Sequence, residues 1–193
     1  MKRFKALVGR WQLRKLKKQM QSHEHSFPTD LLSPKRILVC LPGTLRELTL
    51  VKQFLPMVSS LYRSATITLL TIPGVKVHDI YPRRGYQILT PTTDQLSWSG
   101  VPSKSYLTSL REAKFDMVID LNLERSFFTS AVLLNFPEAI RVGRGNHLGN
   151  PYYNLEIKTK YLRDERNIYR SLLETLGTLV KAENDNPAVD AGA

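Results

Sequence analysis

A single cysteine, Cys40, excludes an intramolecular disulfide and a cysteine-based zinc site, and it fits a reducing compartment. No stretch approaches the roughly 18 consecutive apolar residues of a membrane span. Arg10 and Arg14 interrupt any signal-peptide core near the N-terminus, so the chain reads as cytoplasmic. The first apolar run is followed by PGTLRE, which has one glycine and neither G-x-G-x-x-G nor the Walker lysine. Dinucleotide or nucleotide-triphosphate binding by those routes is therefore disfavoured. Internal repeats and low-complexity stretches are lacking too. Acidic residues are absent from residues 1–20 altogether.

That last absence matters because of what fills the segment. Lys2, Arg3, Lys5, Arg10, Arg14, Lys15, Lys17 and Lys18 contribute eight of the 28 Lys/Arg, while the other 20 stand against all 17 Asp/Glu. The net charge of +11 thus resides mostly in the first 20 residues. These residues favour a helix, with only Gly9 against it. Phe4, Leu7, Val8 and Trp11 share one face, and Leu13, Leu16 and Met20 form a second patch on nearly the opposite side. A helix apolar on two faces and basic between them predicts contact with another surface, and eight cations without an anion read either as a solubility tail or as a site for a polyanionic partner. An anionic membrane leaflet and an RNA or ribosomal surface fit equally well.

The remainder alternates. Residues 21–35, with Pro28 and Pro34, read as a linker. Short apolar runs predict strands at Arg36–Leu41, Ala65–Ile72, Gln87–Leu89, Phe115–Leu121, Ala139–Val142 and, as an edge strand, Tyr153–Lys158. Helices are expected over Leu45–Arg63 (kinked or divided at Pro56), Ser103–Lys114, Ser126–Phe136 and Asp164–Lys181. The domain is placed at 36–181 and a frayed tail at 182–193. Alternation of this kind implies an α/β fold: a single Rossmann-like three-layer domain with a mostly parallel sheet, preceded by the basic helix. About 145 residues suffice for a core without staples.

Ligands of such sheets bind at the carboxyl ends of strands. The loops there offer Gly43, Thr44 and Arg46, then Asp120 and Asn122, then Arg144 and Asn146 as candidate ligand-binding residues. Glu47 is favourably placed against a helix dipole. Asp120 and Glu124 read as a carboxylate pair, or as a helix cap or partner of Arg125. His23 and His25 lie in the linker without further ligands, so no metal and no cofactor is expected. His78 and His147 read as isolated surface residues. Trp98, Tyr152 and Tyr153 lie in loops, for stacking or for core packing.

The run RILVCLPGTLRELTLVKQFLPMV, then ATITLL, FDMVIDLNLERS, AIRVGR and YRSLLETLG resembles the N-terminal, acceptor-side domain of the ADP-heptose:lipopolysaccharide heptosyltransferases of the GT-B class. The resemblance covers roughly residues 36–177. It implies a short relative lacking the donor-binding domain. It also implies that Glu47 aligns with the family's general base, while Arg46 replaces the family's glycine. The loop Leu96–Pro102 and the run Phe115–Glu124 are similar to a group of short single-domain proteins with a basic N-terminal helix, which implies no function.

Three functional readings follow from the resemblance and the tail together. The first is a non-catalytic, heptosyltransferase-like binding or scaffold protein tethered to a polyanion by its basic helix. The second is a glycosyltransferase subunit in cell-envelope polysaccharide synthesis, with Glu47 as base and a separate partner protein supplying the donor domain. The third is a ribosome- or RNA-associated protein. Localisation is then cytoplasmic, peripheral at the inner membrane or on ribosomes.

Overall fold

A computed structural model of the chain describes residues 2–20, 23–27, 29–75, 77, 80, 81 and 85–184. These form strands β1 (Arg36–Cys40), β2 (Thr66–Leu70), β3 (Gln87–Leu89), β4 (Met117–Asp120), β5 (Ile140–Arg144) and β6 (Leu155–Ile157). The helices are α1 (Lys2–Gln19), α2 (Leu45–Leu61), α3 (Lys104–Glu112), α4 (Phe127–Leu134) and α5 (Glu165–Asn184). The sheet is six-stranded and all-parallel in the order β3-β2-β1-β4-β5-β6. Buried strands at its centre read as unbroken apolar runs because both faces are covered.

Alternate residues of β1 feed two cores. Ile37 and Val39 pack with Val51, Leu55 and Val58 of α2 and Leu172, Leu173 and Leu176 of α5. Leu38 and Cys40 pack with Leu110 of α3 and Phe128 and Val132 of α4. The strand order reverses between β1 and β4, so the crevice outside the carboxyl ends of those strands is the topological switch point.

The helix α2 runs unbroken through Pro56, where the sequence predicts a kink or a division. Pro56 and Lys52 lie on the exposed side, so the carbonyl that loses its intrahelical donor faces water. On the other face α1 packs against α4. Leu13 is buried with Val101, Ala131 and Leu134, and Leu16 and Met20 are packed beside them. Gly9 sits against Phe127: a Cβ there would meet the ring at 3.0 Å. The glycine that opposes helix propensity is what lets the helix approach.

Candidate functional site

Three loops leave the carboxyl ends of the adjacent strands β1, β4 and β5, and they bring the sequence-predicted residues to one edge of the sheet. After β1, Gly43 and Thr44 are exposed. Thr44 caps α2: its hydroxyl accepts from the Glu47 backbone N–H (3.2 Å) and donates to Glu47 Oε2 (2.6 Å). Glu47 is thereby held within its own helix start, at 9% exposure. The Arg46 side chain is 78% exposed and reaches Glu165 of α5 at 3.1 Å. Between the first turns of α2 and α5 a cleft of about 920 Å³ is lined by Leu45, Arg46, Thr49, Arg163 and Arg166. The two C-terminal arginines of that cleft carried no signal in the sequence beyond their charge.

After β4, Asp120 and Asn122 turn inward. Asp120 is 1% exposed. Its Oδ2 accepts from the Tyr153 phenol at 2.6 Å, and its Oδ1 accepts from the Asn122 backbone N–H (3.0 Å) and side-chain amide (2.8 Å). The same amide donates to Thr129 Oγ1 at 3.3 Å. Burial pushes the Asp120 carboxyl above its usual range, opposed by the hydrogen bonds from Tyr153 and Asn122. The pairing of Asp120 with Glu124 or Arg125 expected from the sequence is not what forms. Glu124 and Arg125 are exposed, and Ser126 caps α4 by accepting from the Thr129 N–H. Tyr153, a loop residue in sequence, is the buried partner instead.

After β5, Arg144 is half-buried and Asn146 exposed, the latter with a positive φ of 63°. His147 differs from the surface residue expected: it is half-buried, and its Nε2 is buried without a hydrogen-bond partner. The reason is the fold of the loop, which returns the ring towards the β4 end, where Asp120 lies. Burial lowers the imidazole pKa from its ordinary 6.5; Asp120 raises it, and Arg144 and Arg125 lower it. The folded state thus holds this proton less tightly than the unfolded chain, so stability is lost as pH falls below 6.5. In a pH series of denaturant melts, His147→Gln should lose less stability on acidification than the parent; equal losses would remove His147 from this account. His78 lies outside the described residues.

Arg141 is a structural clamp. It is 5% exposed, and its guanidinium donates to the carbonyls of Tyr152, Phe136, Pro137 and Ala139 at 2.7–3.2 Å. Burial pulls its pKa down to about 10. In the linker, His25 pairs with Asp30 at 3.4 Å. Among the described residues no three His, Cys, Asp or Glu side chains converge as a metal site.

The basic helix α1 lies on the α4 face of the sheet. Lys5, Arg10, Arg14, Lys15, Lys17 and Lys18 are exposed; Lys2 and Arg3 lie at the helix start, outside the described side chains. Among the described residues basic side chains meet carboxylates at Arg46–Glu165 and at His25–Asp30, the latter ionic only when the imidazole is protonated, and neither contact involves α1. Two of its lysines lie over aromatic rings, Lys5 over Trp98 at 5.5 Å and Lys17 over Tyr152 at 5.8 Å. No described helix is long and apolar enough to cross a membrane.

Two solved structures have a similar fold. A glycosyl transferase family 9 protein from Veillonella parvula is 20% identical with a TM-score of 0.55, over 81% of this chain and 44% of its own. The Escherichia coli heptosyltransferase WaaC with ADP is 14% identical with a TM-score of 0.52, over 72% of this chain and 46% of its own. The chain thus spans less than half the length of either. No curated protein matches the sequence. A family model described as a family of unknown function (DUF6913) matches residues 5–179.

Proposed function

The chain belongs to that family of unknown function, DUF6913, and we propose that it is a non-catalytic, heptosyltransferase-like binding module held on a polyanionic surface by α1. One observation carries this reading. The helix is docked by its Gly9–Leu13–Leu16–Met20 edge, and its cations face outward without an acidic partner among the described residues. Cations left without an acidic partner on a fixed helix attract anions at long range, and of the described ones only Lys5 and Lys17 are engaged by the body, over the rings of Trp98 and Tyr152.

The carboxyl edge of the sheet supports the non-catalytic half of the proposal. Glu47 is engaged with its own cap, and Asp120 and Asn122 are buried and engaged by internal hydrogen bonds. A general base needs reach to the proton that it removes. Glu47→Gln should accordingly leave biological function intact, whereas loss of function, together with loss of glycosyl transfer in a purified complex, would establish an enzyme subunit instead. Tethering is tested by cell fractionation: the protein should sediment with membranes or ribosomes at low salt and be released at high salt. Recovery in the soluble fraction at low salt would sink the proposal.

A further inference from the structure

The chain has two tryptophans, and the fold places them in the same patch. Trp11 projects from α1 at 64% exposure, and Trp98 from the Leu96–Pro102 loop at 54%. Between and beside them lie Phe4 (63% exposed) and Leu7 (60%), with the Phe4 ring 5.7 Å from that of Trp98. Four of the eight exposed large apolar side chains among the described residues thus gather here. Such gathering is unusual on a surface where apolar residues are normally scattered singly.

The patch is built by tertiary contacts. Gln12 Oε1 accepts from the hydroxyls of Ser97 and Ser99, tying α1 to the loop that carries Trp98. Leu13 is buried one residue further on. Along the outer face of the helix, Phe4, Leu7 and Trp11 are succeeded at i+3, i+4 and i+7 by Arg14, Lys15 and Lys18. One stripe therefore changes from apolar to cationic halfway along its length.

Beside this stripe a groove of about 470 Å³ runs between α1 and α3. Its floor includes Leu16, Met20 and Leu107, and its rim carries Lys15, Lys104 and Arg111. An apolar floor under a cationic rim matches a ligand with an anionic head and a hydrocarbon chain. Nucleic acid matches it poorly. Single strands stack their bases on aromatics inside a cationic groove, and the deep groove of duplex RNA is too narrow for side-chain readout. Here Phe4 and Trp11 stand on the exposed face of α1 with the aliphatic Leu7 between them, Trp98 stands on the adjoining loop, and of these four only Trp11 also lines the groove.

We infer that the polyanionic surface is a bilayer containing anionic phospholipid, with Phe4, Leu7, Trp11 and Trp98 inserted at the headgroup–acyl boundary and Arg14, Lys15 and Lys18 on the headgroups. Tryptophan suits that boundary because its ring is apolar and its N–H polar. The inserted side chains need reach only about 5–10 Å below the headgroups. This inference rests on the tethering proposal and names its partner.

The test uses the full chain with vesicles of phosphatidylcholine with and without phosphatidylglycerol, and in parallel with poly(U). Because both tryptophans lie in the patch, intrinsic fluorescence reads it directly. With phosphatidylglycerol present, emission should shift to the blue and be quenched by brominated acyl chains. Trp11→Phe and Trp98→Phe should each retain part of the signal. Leu7→Asn with Trp11→Ala should weaken vesicle binding by at least about tenfold, the scale expected for re-exposing one large apolar side chain. Both positions are exposed, so an unchanged thermal melt verifies the fold of that variant. Sedimentation with anionic vesicles while emission stays unmoved would overturn insertion and leave electrostatic tethering standing. Binding to poly(U) without binding to vesicles would overturn the lipid assignment alone. Binding to neither at low salt would remove the tethering proposal along with it.

Discussion

Replacing Arg10, Arg14, Lys15 and Lys18 together by glutamine should weaken adsorption to anionic vesicles at low salt by about three orders of magnitude. Each cation near such a surface contributes about 1 kcal/mol, and each 1.4 kcal/mol is tenfold in affinity. All four are exposed, and neither of the described ion pairs includes them. Lys5 and Lys17, which lie over Trp98 and Tyr152, are left in place so that the contacts of α1 with the body persist. Glutamine is nearly as good a helix former as lysine and arginine, so the melting temperature should barely move. Vesicle flotation across a salt series measures the effect. The parent should release steeply as salt rises and the variant should show little left to release; equal binding by the two would end the electrostatic account. Removing residues 1–20 outright would disturb the fold as well as the charge. It would uncover Ala131, Leu134 and Val101, against which Leu13 is packed.

The second large effect is on stability. Gly143 of β5 lies under the ring of Tyr153: a Cβ at 143 would stand 2.2 Å from two ring carbons. That ring is 3% exposed, and its hydroxyl is fixed on Asp120 at 2.6 Å. Gly143→Ala forces the ring out of place, costing about 1–3 kcal/mol for overpacking. Displacing the phenol also leaves a buried carboxylate short of a donor, at roughly 1–3 kcal/mol more. A total near 3 kcal/mol corresponds to a fall in melting temperature on the order of 10 °C for a domain of this size. Tyr153→Phe alone should show only the second contribution, and the two substitutions should be strongly non-additive because they share one contact. A Gly143→Ala protein melting within a degree of the parent would mean that Tyr153 is not packed as described.

Much of the architecture is legible in the chain. ILVC of β1 and MVI of β4 are unbroken apolar runs because each strand is covered on both faces, and a run needs no tertiary information to be recognised. The caps are local as well: Thr44 with Glu47, and Ser126 with Thr129, are three residues apart. The similarity to one half of the glycosyltransferase family 9 fold rests on this order of elements, which is why it survives at 14–20% identity. Loop position alone marks the candidate ligand residues. That rule locates an edge of the sheet but does not say which side chains turn inward.

The alternation, the parallel sheet, the helix starts and the concentration of positive charge in residues 1–20 can all be read along the chain. Each depends on contacts or patterns within a few turns of chain. Packing selects which face of α1 is buried and which is free, since both apolar patches read alike until α4 covers one of them. It also decides that Asp120 is bound to Tyr153, 33 residues away, and that Trp11 and Trp98 share a patch. Those pairings are distant in sequence and have no local signature. They exist because β5 lies beside β4 and α1 lies across α4, bringing together residues that the chain itself keeps apart.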